Sequence, residues 1–130
     1  MAAWGHHLMV DAAGCNGRLG DGEAIKAFCR ELVAEIGMTA YGEPILEHFG
    51  HGDPETSGYT LVQLIETSNV TAHFCDQTGE IYLDLFSCRD FDEQRAVAVF
   101  RRHFEPASLT ATKLDRKAPA AEGARVRAIA

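Results

Sequence analysis

The sequence predicts a single α+β domain, an antiparallel sheet with two helices on one face. Two stretches, residues 24–36 and 91–104, repeat apolar residues at three- and four-residue steps, as amphipathic helices do. Most other segments alternate apolar and polar residues and are joined by short turns, which is typical of antiparallel strands. The predicted element order is β-α-β-β-β-β-α-β.

Length and charge narrow the class of protein. A chain of 130 residues that is 46% hydrophobic suits one domain with a sizeable core. The net charge of −7 and a pI near 5.3 argue against nucleic acid or an anionic membrane surface as a partner. No apolar run approaches the roughly 20 residues of a membrane span, and no signal-peptide pattern opens the chain. We therefore expect a cytoplasmic protein that binds a small molecule or another protein.

The first part of the chain predicts a strand, a turn and a helix. Residues 6–12 form a short apolar run that ends in a glycine- and asparagine-rich turn at 13–17. Asp21 starts the helix, and Gly37 lies where its C-terminal cap is expected.

Four strands are expected between the two helices. They span residues 39–49, 58–66, 70–75 and 80–87. The first carries a proline at its start or edge, and the last two are joined by a hairpin turn at 76–79. In the second strand, alternation places Leu61, Gln63 and Ile65 on one face.

A second helix and a final edge strand complete the domain. Asp90 or Asp92 caps the helix, Pro106 stops it, and residues 108–114 alternate like a strand. The domain is assigned to residues 1–115, and residues 116–130 have so little to bury that they form a flexible tail.

The sheet has a second face that the two helices leave uncovered. Because strand residues on both faces are apolar, we expect a homodimer that buries sheet against sheet in an αββα sandwich.

Cysteines and histidines do not form a metal-binding pattern. The four cysteines have no CxxC spacing, so they are expected to be free thiols, most of them buried: Cys15, Cys29, Cys75 and Cys88. His48 and His51 lack further ligands nearby in sequence, and no metal is expected.

One stretch, residues 66–73, concentrates reactive side chains, and a cysteine follows one strand later. It carries Ser68 and His73, with Cys88 beyond. Each residue type alone is a weak signal, and it is their spacing that is informative.

With these residues the chain resembles the small bacterial and archaeal S-adenosylmethionine decarboxylases. Their Gly-x-His-Leu strand and Gly-Cys turn are similar to residues 5–8 and 14–15 here. In that family a serine is followed five residues later by a histidine and twenty residues later by a cysteine, the spacing of Ser68, His73 and Cys88. The resemblance covers about residues 4–104.

The resemblance implies a self-cleaving, pyruvoyl-dependent decarboxylase. The chain would cut itself between Thr67 and Ser68, and Ser68 would become a pyruvoyl group that forms a Schiff base with an amine substrate. His73 would move protons during processing, with a hydroxyl residue, Thr60, eight positions before the serine. Cys88 would return a proton after carbon dioxide leaves. The implied product, decarboxylated S-adenosylmethionine, serves spermidine biosynthesis.

Several positions depart from the family pattern. Thr67 and Asn69 flank the serine where the family has Glu and His, and Glu66 is displaced by one position. Gln77 replaces a glutamate that binds the substrate ribose, and Asp76 is an alternative acceptor. The candidate substrate-binding residues are therefore Glu66, Asp76 and Gln77.

Three functions stay open at this point. The first is decarboxylation of S-adenosylmethionine. The second keeps the pyruvoyl chemistry on a basic amino acid such as ornithine or arginine, because the ribose-binding glutamate is missing. The third is an uncleaved, non-catalytic homologue. The expected assembly is a homodimer, or a dimer of cleaved chain pairs.

Overall fold

The fold is built on a six-stranded antiparallel sheet with the strand order β2-β3-β4-β5-β1-β6. The structure, a computed structural model, describes residues 2–120. Its elements are β1 Gly5–Ala13, a 3₁₀ turn Gly17–Gly20, α1 Gly22–Glu35, β2 Ala40–Phe49, β3 Gly58–Ile65, β4 Ser68–Cys75, β5 Glu80–Ser87, α2 Glu93–Phe104 and β6 Ser108–Arg116. The predicted fold class and element order are confirmed.

Some predicted boundaries shift by one or two residues. β3 ends at Ile65 and β4 begins at Ser68, so the turn between them is shorter than the sequence indicated. β6 runs to Arg116, one residue past the predicted end of the domain. Residues 117–120 have no regular structure, and the rest of the predicted tail lies outside the described residues.

Both helices begin at aspartate caps. The Asp21 carboxylate accepts from the backbone N–H groups of Glu23 and Ala24 at the start of α1. Asp92 does the same for Gln94 and Arg95 at the start of α2, which selects it over Asp90. These bonds satisfy N–H groups that have no partner within the helix.

The core lies between one face of the sheet and the two helices. Apolar residues two apart on each inner strand are buried there, and Phe28 of α1 packs on Phe100 and Phe104 of α2. Cys29 is fully buried in this core. The expectation that most cysteines are buried is wrong, because the other three lie at strand ends and turns and are partly exposed.

The opposite face of the sheet, which we call the open face, is not covered by either helix. Large apolar side chains on it are between 41% and 69% exposed: Tyr41, Ile45, Phe49, Leu64, Tyr82 and Leu114. Strand register places them there, because Leu64 opposes Tyr41 and Val62 opposes Ile45 while the intervening Gln63 is buried on the helix side. Pro44 lies on the edge strand β2, as predicted.

The helices of residues 2–120 are too short or too polar to cross a bilayer.

Candidate active site

A two-residue hairpin turn, Glu66-Thr67, joins β3 to β4. Ile65 pairs with Ser68 across it, and Thr67 has φ +61°. A β-branched residue is strained in this left-handed region. The Thr67 hydroxyl donates to the Glu66 carbonyl oxygen at 2.7 Å, and the Glu66 N–H donates to the Thr39 carbonyl at 3.1 Å. The peptide bond before Ser68 therefore follows a residue with a strained backbone, in a turn that hydrogen bonds hold in place.

The strand predicted over residues 58–66 ends one residue earlier, so Glu66 lies in the turn with Thr67. Neither belongs to a strand, so sheet alternation does not decide where the Glu66 carboxylate points. Both residues are exposed beside Ser68.

Ser68 is the first residue of β4, and its side chain is held by a second serine. Register pairs Ser68 with Ser87 at the end of β5, and the Ser68 hydroxyl donates to Ser87 Oγ at 2.7 Å. Ser87 is fully buried. Sequence reasoning missed Ser87, although the predicted 76–79 hairpin, extended along both strands, pairs it with Ser68.

Cys88 follows β5 directly and lies beside the turn. Its backbone N–H donates to the Thr67 carbonyl oxygen at 3.4 Å. The β4–β5 hairpin thus brings Cys88 next to the peptide bond between Thr67 and Ser68, although Cys88 lies twenty residues after Ser68 in the sequence.

Thr60 and His73 form a separate pair. They oppose each other on β3 and β4, and Thr60 Oγ1 lies 3.2 Å from His73 Nδ1. Ser68 and His73 are five residues apart on β4, an odd number, so His73 lies on the open face whereas Ser68 points to the helix side. Five residues of strand also span about 16 Å. Within one chain these two residues do not reach Ser68.

Asp76 and Gln77 follow the far end of β4. Asp76 Oδ2 accepts from His48 Nε2 at 2.8 Å, and Asp76 Oδ1 accepts from the Gln77 amide at 3.3 Å. The hydrogen bond from His48 is the main cause that lowers the pKa of Asp76. Eight residues of strand, about 26 Å, separate this end from Ser68.

His48 also contacts His51, the other histidine considered above as a metal ligand. The rings of His48 and His51 stack with centroids 4.3 Å apart, and His48 Nδ1 lies 3.2 Å from His51 Nε2. Among residues 2–120 no three His, Cys, Asp or Glu side chains are grouped to hold a metal ion.

An open cleft of about 710 Å³ lies among the residue before β1, the end of β5, the end of β6 and the segment after β6. Trp4, Phe86 and Arg116 line it, with the Arg116 guanidinium 4.7 Å from the centre of the Phe86 ring. Ser68 and Cys88 do not line this cleft, so it is separate from the turn.

Comparison with known proteins decides the family. A family model of S-adenosylmethionine decarboxylase matches residues 6–117, most of the chain. The chain belongs to the S-adenosylmethionine decarboxylase family. The resemblance is thereby confirmed, and a decarboxylase-like function follows from it.

Members of the family with curated names are distant in sequence. The S-adenosylmethionine decarboxylase proenzyme of Archaeoglobus fulgidus is 27% identical over 114 residues, covering 86% of this chain and 96% of that protein. The proenzyme of Pyrococcus abyssi is 28% identical over 103 residues, covering 78% of this chain and 70% of that protein.

A solved structure in the same family shares the fold. The crystal structure of the adenosylmethionine decarboxylase from Aquifex aeolicus superposes with a TM-score of 0.77 at 18% identity. The match covers 96% of this chain and 100% of that one. At this identity the similarity supports the α+β fold, and residue roles must be argued from this chain itself.

Proposed function

We propose that this chain cleaves itself between Thr67 and Ser68 and then decarboxylates S-adenosylmethionine with a pyruvoyl group made from Ser68. The observation that carries the proposal is the arrangement at the turn. A strained peptide has its carbonyl bound by the Cys88 N–H, and the adjoining serine hydroxyl is held at a fixed place. Membership of the family and the proenzyme names of its relatives support the same proposal.

Self-cleavage begins with an acyl shift at the turn. Ser68 Oγ attacks the Thr67 carbonyl carbon, the bond from that carbon to the Ser68 nitrogen breaks, and the hydroxyl proton ends on that nitrogen as an ester forms. Loss of the Ser68 Cα proton then breaks the Cβ–Oγ bond and releases Thr67 as a carboxylate. Water replaces the nitrogen, which leaves as ammonia, and a pyruvoyl group remains.

The turn suits this chemistry electrostatically. Negative charge develops on the Thr67 carbonyl oxygen during attack, and the Cys88 N–H already points at that atom. Backbone strain of about 1–3 kcal/mol at a left-handed, non-glycine residue raises the energy of the uncleaved turn.

Once formed, the pyruvoyl carbonyl supplies the electron sink that accepts electrons when carbon dioxide leaves the substrate. Cys88, next to the turn, then returns a proton to the substrate carbon. Glu66 is exposed beside the same turn, where its carboxylate can bind the substrate amine. The product is the aminopropyl donor used for spermidine.

Thr60 and His73 act, in our proposal, on the turn of a second copy. Their hydrogen-bonded pair lies on the open face, out of reach of Ser68 in the same chain. A homodimer that joins the two open faces brings the pair of one protomer towards its partner's turn. Asp76 and Gln77, at the same far end of β4, contact the substrate's ribose from that second copy.

The open face itself favours such pairing. Its exposed aromatic and aliphatic side chains all lie on one face of the sheet, and large apolar side chains gathered on one surface mark protein–protein interaction sites. Removing these side chains from water favours the dimer by roughly 25 cal/mol per Å² of apolar area, before the entropy lost on association is subtracted.

Intact-mass measurement tests self-cleavage. Purified protein should give two fragments, residues 1–67 and residues 68–130, the second with a pyruvoyl group in place of a free amine. Ser68→Ala should remain full length. A wild-type chain that stays full length contradicts both enzymatic functions and leaves the non-catalytic homologue.

Carbon dioxide release identifies the substrate. S-adenosylmethionine, ornithine and arginine are supplied separately to the cleaved protein. Release from S-adenosylmethionine alone supports the proposal. Release from ornithine or arginine alone favours a basic amino acid decarboxylase. That alternative is considered because Gln77 replaces the glutamate that binds the substrate ribose in the family.

Mixed dimers test whether His73 acts across protomers. Ser68→Ala keeps His73 but has no nucleophile, and His73→Ala keeps the nucleophile. Each variant alone should stay full length. When the two are co-expressed, about half of the His73→Ala chains should be cleaved if partners pair at random. Absence of cleavage in the mixture rules out action across the interface.

The interface has its own test. Leu64→Glu places a charge in the open face, where Leu64 is 50% exposed, and should shift the protein to a monomer in analytical ultracentrifugation. Ala98→Glu, on the exposed side of α2, adds the same charge elsewhere and should leave the dimer intact. A dimer that tolerates Leu64→Glu contradicts pairing through this face.

A further inference from the structure

We propose that Ser87 is a positioning residue for self-cleavage, which holds the Ser68 hydroxyl for attack on the Thr67 carbonyl. The inference rests on the proposed self-cleavage and adds a role that the sequence motif does not include. It starts from a direct contact with the nucleophile, the 2.7 Å hydrogen bond between Ser68 Oγ and Ser87 Oγ.

The contact is fixed by the sheet. Ser68 and Ser87 are direct partners in the β4–β5 register, so both side chains point to the helix side of the sheet. Ser87 is 0% exposed, and water therefore does not compete for its hydroxyl. An O–H···O distance of 2.7 Å lies at the optimum for this kind of bond.

Ser87 is itself held in place. Its Oγ accepts from the backbone N–H of Arg89 at 2.9 Å. A serine hydroxyl has two acceptor lone pairs. One is taken by the Arg89 N–H, and the other receives the Ser68 hydroxyl. A side chain fixed by the backbone in this way can fix the side chain that donates to it.

The direction of the bond suits the reaction. Because the Ser68 hydrogen points at Ser87, the lone pairs of Ser68 Oγ are left to approach the Thr67 carbonyl carbon. As the new C–O bond forms, the Ser68 O–H bond weakens and its hydrogen becomes more positive, so its bond to Ser87 strengthens. Such an interaction lowers the barrier because it is stronger in the transition state. The proton ends on the Ser68 nitrogen, and Ser87 is unchanged.

Two consecutive residues thus contact the two reacting groups. Ser87 receives the nucleophile's hydrogen, and Cys88 donates its N–H to the oxygen of the carbonyl under attack. Both lie where β5 ends, so one rigid element orients both partners of the acyl shift. Misplacement of reacting groups by about 1 Å can slow a reaction about 100-fold.

Threonine and valine at position 87 give a matched comparison. They have the same shape, but only threonine keeps the hydroxyl. Self-cleavage is followed by intact mass after synthesis of each variant in a cell-free system. We expect Ser87→Thr to cleave within about 5-fold of wild type and Ser87→Val to cleave about 10- to 100-fold more slowly.

A chemical trap locates the slow step. At neutral pH hydroxylamine cleaves an ester at Thr67 much faster than any peptide bond, and fragment masses distinguish a cut after Thr67 from a slow cut at the Asn16-Gly17 bond. If Ser87 positions the attack, the full-length Ser87→Val chain should resist hydroxylamine. A Ser87→Val chain that hydroxylamine cuts quickly has formed the ester normally, and this result overturns the inference.

Folding is controlled separately. Ser57→Ala removes another buried serine, 7% exposed, away from Ser68, and should cleave as wild type does. Thermal unfolding is recorded for every variant. If threonine and valine both prevent folding, the smaller Ser87→Ala replaces them and must cleave at least about 10-fold more slowly than wild type.

The outcomes separate the two proposals. A wild type that cleaves while Ser87→Val matches Ser87→Thr overturns the role of Ser87 alone. A wild type that never cleaves overturns the proposed function, and the role of Ser87 with it. Slow Ser87→Val with rescue by Ser87→Thr supports positioning through the hydroxyl.

Discussion

The backbone N–H of Cys88 donates to the Thr67 carbonyl oxygen at 3.4 Å. This contact belongs to the main chain, so it is independent of the thiol of the same residue. Position 88 can therefore serve two separate steps, the N–H in self-cleavage and the side chain in decarboxylation.

Cys88→Ala should separate these steps. The variant keeps the N–H, so we expect self-cleavage within about 3-fold of wild type, while decarboxylation falls about 100-fold or more for want of the proton donor. Intact mass measures the first and carbon dioxide release the second. An uncleaved Cys88→Ala chain would show that the thiol itself is needed for processing.

Thr67→Gly should relax the strained turn. Glycine adopts φ near +60° without a steric penalty, which relieves about 1–3 kcal/mol of strain, while the greater freedom of glycine in the unfolded chain offsets about 0.5–1 kcal/mol of that gain. The variant should therefore be about 0.5–2 kcal/mol more stable, measured by urea unfolding in the uncleavable Ser68→Ala background. If the strain assists cleavage, Thr67→Gly in the active chain cleaves about 2- to 5-fold more slowly. Thr67→Ala keeps a Cβ, hence most of the strain, and is the control. Faster cleavage by the glycine variant would contradict a role for strain.

The sequence predicted the fold because its local signals agree with each other. The aspartate caps, the helical repeats and the hairpin at 76–79 each specify one element, and together they imply the sheet. Even Gln63 was placed correctly on the face shared with Leu61 and Ile65, where all three are buried.

The site was predicted less completely. Motif spacing identified Ser68, His73 and Cys88 as a group, but spacing carries no information about which chain supplies each residue. Alternation along a strand places residues five apart on opposite faces. The predicted strand 70–75 left out Ser68, so this argument applies only now that β4 is seen to include both residues 68 and 73. Ser87 was missed because its role depends on pairing across the hairpin.

Gln63 is expected to be important for stability. Its buried amide donates to the carbonyl oxygens of Tyr41 at 3.3 Å, Gly42 at 3.2 Å and Leu64 at 2.7 Å, where β2 departs from regular pairing. Gln63→Leu leaves these carbonyls without their donor and should lower the free energy of unfolding by about 1–3 kcal/mol. Gln94→Leu, an exposed site on α2, should change it by less than about 0.5 kcal/mol. Equal effects would contradict the role of the amide.

The four thiols should differ in reactivity. Burial raises the pKa of Cys29 to about 12 and that of Cys15 to about 11, so at pH 8 only about one in 10,000 and one in 1,000 of these groups are thiolates. Iodoacetamide should label Cys29 last, as read by peptide mass spectrometry on the folded protein. In denaturant all four cysteines should react alike. Rapid labelling of Cys29 in the folded chain would contradict its burial.

The pair formed by Asp76 and His48 should make stability depend on pH. The hydrogen bond from His48 lowers the pKa of Asp76 in the folded protein, so the unfolded chain takes up a proton first as pH falls. The stabilisation is fully present above the unfolded pKa, near 3.9, and is lost as pH falls through the lower folded value.

Urea unfolding from about pH 7 to pH 3 measures this contribution, because that range spans the ordinary carboxyl pKa. Asp76→Asn in the Ser68→Ala background should be less stable than its parent at neutral pH, and the difference should shrink below about pH 4. Asp11→Asn removes an exposed carboxylate outside the pair and controls for the change in net charge. A difference between Asp76→Asn and its parent that stays constant with pH would mean that the carboxylate contributes through shape and not through its charge.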